Sequence, residues 1–274
     1  MILPNDPLRE SFNPKSILDI ITYKHQFNID HPYYFRPSGC RMFVGSQGSG
    51  KTLSGVNYCY NLMSLYPRLI LVTNVAMRDF PFNARLCADN IVRMIGSNDV
   101  VNTDYVCDPS NPRVCVEYSG LDCLKYIKNG EYGVLYFIDE LHLELNSLES
   151  KNIDIDIITE ISQQRKQRKH IVGTSQVFQR LAKPVREQIK DVIQCHCFFG
   201  CIQFNKFLDG ESAVEVNGHL KADCRGRILY IHTPDMYGRY DTFAKMRRLN
   251  NEWQGRPRQP VNFFDFGGDR KSVV

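Results

Sequence analysis

Apolar residues recur along the chain in runs of strand length, separated by stretches that suit helices or turns. Arg41–Val44, Arg68–Asn74, Pro112–Tyr118, Gly133–Glu140 and Lys169–Gln176 are runs of this kind. A strand that is apolar at successive positions is buried on both faces, the signature of a parallel sheet. Leu53–Tyr66 has one glycine and no proline and predicts a helix. Leu121–Lys128 predicts a short helix ending at Asn129-Gly130. Ile153–Lys169 predicts a longer one, apolar early and basic late, and Pro184–Ile189 a short one with proline in its first turn. Asp191–Phe204 and Arg227–His232 are strand-rich, and Asp241–Leu249 reads as a helix. Residues 75–115, with Pro81, Pro109 and Pro112, read as an irregular excursion. Strands alternating with helices predict an α/β fold, a mostly parallel sheet with helices on both faces. The expected division is an N-terminal arm over 1–39, the α/β domain over 40–250 and a polar tail over 251–274. No internal repeat is visible.

The 274 residues, 43% hydrophobic and 23% charged, suffice for one large α/β domain with appendages. A net charge of +4 makes any nucleic-acid surface local rather than global. No apolar run reaches the roughly 18 residues needed to span a bilayer. The first residues lack a basic region followed by an apolar core, so no signal peptide is expected and a soluble, intracellular protein is. Ten cysteines in such a chain are expected to be reduced. Cys195, Cys197 and Cys201 are the one dense group; with Ile193 and Phe199 they fall on one strand face at period two, which predicts buried small hydrophobes, with a metal site as the alternative.

The sharpest chemical signal lies between the first strand and the first long helix. Gly45-Ser46-Gln47-Gly48-Ser49-Gly50-Lys51-Thr52 is a complete G-x-x-x-x-G-K-[ST] phosphate-binding loop in its proper setting of strand, glycine loop and helix. Glycines let the backbone wrap an oxyanion without a Cβ clash, and the loop amides and helix N-terminus face the phosphates. Lys51 is expected at the β- and γ-phosphates of ATP and Thr52 on Mg²⁺.

An apolar strand ending in Asp139-Glu140 follows by about 90 residues, the arrangement such a loop needs opposite it. Asp139 is expected to hold Mg²⁺ and Glu140 to polarise the attacking water. His142 and Glu144 read as supporting or exposed groups. Gln176 ends the next strand, where an amide can sense the γ-phosphate or orient water; the alternative is a polar residue that merely ends a strand. Upstream of that strand, Arg165, Lys166, Arg168 and Lys169 form a basic run. Three readings stand together: a solvated helix end complementing the helix dipole, an arginine finger (Arg165 or Arg168) reaching a neighbour's nucleotide, and contact with phosphodiester backbone. Lys245, Arg247 and Arg248, with Arg256, Arg258, Arg270 and Lys271, read as solvated faces or DNA contacts, and Trp253 as a docking anchor.

With these segments in order, the chain resembles the FtsK–HerA superfamily of DNA-pumping P-loop ATPases. Within it, the likeness is to zonula-occludens-toxin-like phage assembly ATPases and to phage genome-packaging ATPases. The loop, Phe137-Ile138-Asp139-Glu140-Leu141-His142, the spacing of Arg165, His170 and Gln176, Gln179–Arg186 and Tyr237–Thr242 carry it, over roughly residues 40–250. The resemblance implies a RecA/FtsK-like P-loop NTPase fold and a ring, a hexamer, around viral DNA. It implies ATP hydrolysis at subunit interfaces and translocation into a capsid or through an assembly site. The implied place is the host cytoplasm, a packaging vertex of the virion, or a membrane reached through a capsid or membrane-associated viral partner. The toxin-like proteins usually carry a transmembrane segment after this domain, and this sequence has none. A helicase or conjugation-type motor of the same fold is the main alternative, and a small-molecule kinase a more distant one.

Overall fold

The structure, a computed structural model, describes residues 14–75, 77, 91–95, 117–119, 121, 123–150, 153–216 and 219–240. Its main sheet has nine strands: β1 (Cys40–Val44), β2 (Ile70–Thr73), β3 (Ile91–Ile95), β4 (Glu117–Ser119), β5 (Val134–Ile138), β6 (Lys169–Ser175), β7 (Ile189–Phe198), β8 (Ile202–Asp209) and β11 (Cys224–Ile231). They lie in the order β11-β8-β7-β1-β6-β5-β2-β3-β4. The seven from β7 to β4 are mutually parallel; β8 runs antiparallel to β7, and β11 antiparallel to β8. A separate hairpin joins β9 (Val214–Val216) to β10 (His219–Lys221). The helices are α1 (Pro14–Asp30), α2 (Lys51–Leu65), α3 (Cys123–Tyr126), α4 (Ile155–Ser162), α5 (Lys183–Arg186) and α6 (Pro234–Gly238). No described helix is long and apolar enough to cross a membrane.

The fully apolar strands are buried on both faces. Met42, Val44, Val72, Val134, Tyr136 and Ile138 point into one core, covered by Leu124 of α3, Ile161 of α4 and Val185 of α5. Their neighbours Phe43, Leu71, Leu135 and Phe137 point into a second core with Val56, Cys59 and Met63 of α2. Period-two alternation thus splits one apolar run between two layers. Gly55 lets α2 sit directly on Phe137, whose ring would lie 2.4 Å from a Cβ at that position.

Several expectations shift. The helix predicted over 153–169 stops at Ser162, and residues 163–168 are turns. The reason is that the run is not uniformly solvated. Gln164 and Lys169 are buried, the Lys169 amide bonds the Gln164 carbonyl at 2.8 Å, and Arg168 takes φ +54°. Lys169, fully buried, donates to Glu160 Oε2 and to the Leu124 carbonyl, both at 2.5 Å. The solvated-helix-end reading therefore fails for this cation. Within the excursion expected at 75–115, Ile91–Ile95 is a strand of the main sheet; of the strand expected at 112–118, Glu117–Ser119 is described. The short helix near Pro184 is Lys183–Arg186, and Ile189 already begins β7. The period-two face of β7 holds through Cys195 but ends at Phe198, because Phe199 and Gly200, both at positive φ, turn the chain into β8. Cys195 is buried and Cys201 exposed, and among the described residues no group of His, Cys, Asp and Glu is placed to hold a metal. The helix expected at Asp241–Leu249, the tail, its basic residues and Trp253 lie outside the described residues.

The arm is docked on the domain. Phe35 is buried against Gly133 and edge-on to Tyr66, and Tyr34 accepts a hydrogen bond from Arg168 at 2.7 Å while its ring lies 4.3 Å beneath that guanidinium. Beside it, His170 at the start of β6 is 1% exposed. Its Nδ1 donates to the Gly39 carbonyl at 2.5 Å and its Nε2 accepts from Tyr58 at 2.8 Å, so the neutral ring is saturated. Burial, helped by the Arg41 charge, holds its pKa at about 4, down from 6.5. An unfolded chain takes up a proton below 6.5 that the folded one refuses until about 4, so stability falls as pH drops through that window. Denaturant titrations from pH 7 to 4.5 should show a loss approaching 3 kcal/mol, by an order-of-magnitude reading, from this residue. His170→Gln should flatten that part of the profile; an unchanged slope would contradict the assignment.

Candidate nucleotide site

The parallel register brings three strand ends to one edge. Val44, the last residue of β1, pairs with Ser175 of β6, and Ile138 of β5 pairs with Gly173. The loop Gly45–Thr52, Asp139-Glu140 and Gln176 therefore leave the sheet side by side, where open parallel sheets bind ligands.

The loop closes tightly. Gly48 and Gly50 adopt φ +77° and +79°, which side chains rarely tolerate. A Cβ on Gly45 would lie 2.5 Å from Ser49 Oγ and 2.7 Å from the Cys195 carbonyl oxygen. The Ser54 amide bonds the Gly50 carbonyl at 2.9 Å. The amides of Thr52 and Leu53 precede that bond and face the loop from the first turn of α2. Its dipole adds partial positive charge at the same place. Lys51, 7% exposed, lays its ammonium 2.8 Å from the Ser46 carbonyl across the mouth of the loop. The Ser49 hydroxyl is buried without a hydrogen-bond partner among the described residues, a cost of about 1–3 kcal/mol that an anion in the cradle would offset. The loop thus fits a polyphosphate.

Asp139 is fixed from three directions. Thr52 Oγ1 donates to its Oδ1 at 3.0 Å, and Thr174 Oγ1 of β6 donates to the same oxygen at 2.5 Å. Asn74, just past β2, brackets its backbone, donating to the carbonyl at 2.9 Å and accepting from the amide at 2.8 Å. The hydroxyl and carboxylate oxygens of Thr52 and Asp139 are the hard donors Mg²⁺ prefers.

Glu140 sits at φ +56°, sparsely populated for a residue with a side chain. Its amide is held by Thr174 Oγ1 at 2.8 Å, and its carboxylate faces His142 Nε2 at 3.3 Å. His142 is buried, with Nδ1 3.3 Å from Ser175 Oγ. Gln176 is exposed at the carboxyl end of β6, next to the start of the loop.

Arg165 and Arg168 are not brought to this edge. They precede the amino end of β6, which at seven residues separates them from the site by about 20 Å. Neither reaches the loop edge of this chain. Arg168 is engaged with Tyr34, whereas Arg165 and Lys166 are exposed. The site also contains groups that the sequence reading left out, namely Asn74, Thr174 and, from β8, Gln203. Thr174 carried a legible signal, a small hydroxyl at the carboxyl end of a buried strand. Gln203 carried none, since it alternates with half-buried residues in an ordinary amphipathic strand.

No protein-family profile and no curated protein sequence matches the chain. Among solved structures, it is similar to the N-terminal domain of zonular occludens toxin from Neisseria meningitidis, at 14% identity and TM-score 0.49, over 75% of this chain and 100% of that one. It is also similar to the genome packaging NTPase B204 from Sulfolobus turreted icosahedral virus 2 in complex with sulfate, at 13% identity and TM-score 0.42, over 72% and 97%. The AAA domain of FIGL-1 bound to ADP is similar at 14% identity and TM-score 0.33, over 67% and 53%. None of the three reaches a TM-score of 0.5, so the assignment of function rests on this chain's own residues. Those residues and the sheet order are those of a P-loop NTPase fold.

Thr174 makes two of the bonds that fix Asp139 and Glu140. Thr174→Val should cost about 1–3 kcal/mol in denaturant titrations, because it leaves a buried carboxylate and amide each one partner short. Loss of less than a few tenths would show that these bonds do not organise the site.

Proposed function

We propose that the chain is a Mg²⁺-dependent ATPase that drives translocation of viral DNA, acting as one subunit of a ring. The observation that carries the hydrolytic half is the oxygen pair Thr52–Asp139, 3.0 Å apart, with Glu140 beside it and the amide-lined loop behind it. The loop amides and Lys51 bind the phosphates, and Lys51 exchanges the Ser46 carbonyl for β- and γ-oxygens. Thr52 and Asp139 would hold Mg²⁺, which would supply charge neutralisation for the phosphates. Glu140 accepts a proton from the attacking water, and His142 keeps its carboxylate aimed. Gln176 orients that water or senses the γ-phosphate.

The motor half is supported by the resemblance of the loop, the Asp139-Glu140 strand and the Arg165, His170, Gln176 spacing to DNA-pumping ATPases. Arg165, exposed at the opposite edge of the sheet, is an arginine available to a neighbour's nucleotide, and a finger in trans requires the head-to-tail contacts that close rings. The ring, a hexamer, encircles viral DNA in the host cytoplasm and delivers it to a capsid or membrane-associated viral partner.

Lys51→Ala should abolish ATP turnover, and Glu140→Gln should bind ATP yet turn over about 10²–10⁴-fold more slowly, the usual contribution of a general base. Retained turnover in either variant would remove that residue from the mechanism. DNA should stimulate wild-type turnover, with the stimulation fading as salt rises from 50 to 200 mM; turnover indifferent to DNA would sink the translocase reading while leaving the ATPase. Mixing Arg165→Ala with Lys51→Ala subunits should restore activity if Arg165 acts across the interface, and no recovery would exclude it.

A further inference from the structure

The loop is gripped from a second side by a polar chain that no phosphate-loop motif contains. Gln203 of β8 is fully buried, and its amide nitrogen donates to the Ser49 carbonyl at 3.0 Å and to Asn205 Oδ1 at 2.7 Å. Its amide oxygen lies 3.1 Å from His232 Nε2, just past β11. Both N–H donors and the oxygen of the amide are therefore engaged. A reversed amide would set its oxygen against the Ser49 and Asn205 oxygens, so those two acceptors fix which way Gln203 points and leave its oxygen facing His232 Nε2, which as the Nε2–H tautomer donates to it. His232 is held in turn, with Nδ1 2.7 Å from the Tyr237 hydroxyl and its backbone amide on the Cys201 carbonyl at 2.8 Å. Asn205 continues the chain to Ser54 Oγ at 3.1 Å, which meets Tyr230 at 2.8 Å.

The consequence lies in the Ser49–Gly50 peptide. It is trans, so the Ser49 carbonyl and the Gly50 N–H point in opposite directions. With the carbonyl tied to β8, the N–H is turned to the far side, and a peptide flip would require breaking the Gln203 bond. Gly50 is what allows the approach, because a Cβ there would lie 2.0 Å from Gln203 Oε1.

We propose that Gln203 is a positioning residue for the phosphate loop, holding the Ser49–Gly50 peptide with its N–H toward the phosphates, and that His232 steadies the other end of the Gln203 amide. This rests on the nucleotide-binding reading above. The lock acts on ground state and transition state alike, so its loss weakens ATP binding more than it slows turnover at saturation.

The test is equilibrium binding of a fluorescent ATP analogue with Mg²⁺ to the full chain, beside kcat and KM for ATP and a thermal melt of each variant. Gln203→Leu should weaken binding about ten- to a hundredfold, the effect of losing one well-placed donor, with kcat changed far less than KM. His232→Phe, altered at the half-buried end of the chain, should give a smaller loss in the same direction and serves if Gln203→Leu does not fold. The double variant should cost no more than Gln203→Leu alone, since His232 acts through Gln203. Wild-type binding in folded Gln203→Leu or His232→Phe, strictly additive losses, or a loss confined to kcat would each overturn the proposal. Failure of the wild-type chain to bind the analogue would instead overturn the nucleotide-binding reading, and this one with it.

Discussion

Everything at the functional edge depends on one carboxylate oxygen. Asp139 Oδ1 takes hydrogen bonds from Thr52, in the first turn of α2, and from Thr174, at the end of β6. Three segments far apart in sequence meet there, and a carboxylate buried to 5% exposure is stable because both bonds reach it. The geometry of the loop relative to Glu140 follows, since Glu140 is the next residue and its strained backbone is held by the same Thr174 hydroxyl. Nearby Asn74 fixes the peptide on either side of Asp139, so the carboxylate cannot move without the backbone.

That constraint needs a rigid support, which the two-layer core supplies. β1 and β5 flank β6, and all three send alternate residues into separate apolar layers, one under α2 and one under α3, α4 and α5. Close packing transmits position without slack, so the strand ends stay in register. The far side of the sheet serves a different purpose. There the pairing turns antiparallel through β8 and β11, and β8 carries polar residues inward, so that Gln203 and Asn205 reach the loop and α2 from a flank that the parallel strands do not supply.

Much of this was legible in the sequence, and the reasons are local. The phosphate loop, its flanking strand and helix, and the apolar strand ending in Asp139-Glu140 are contiguous patterns whose physics is set within a few residues. The sheet's parallel core followed from strands with no polar face. The helix predicted over 153–169 failed because composition hides burial: Lys169 looks like one more surface cation but sits in the core on Glu160 and a backbone carbonyl. Gln203, His232 and Asn74 were invisible for a related reason. Their roles come from register across the sheet and from partners some 29 to 154 positions away, which no short window of sequence contains.

The central claim is that Thr52 and Asp139 form the Mg²⁺ seat of an ATP-hydrolysing site. The most direct measurement is phosphate release from ATP by the wild-type chain and by Asp139→Asn, each titrated with Mg²⁺ from chelated to millimolar. The account predicts turnover that requires Mg²⁺ in the wild type and is lost, or recovered only at far higher Mg²⁺, in Asp139→Asn. Turnover without Mg²⁺, or a Mg²⁺ dependence unchanged by the substitution, would contradict it.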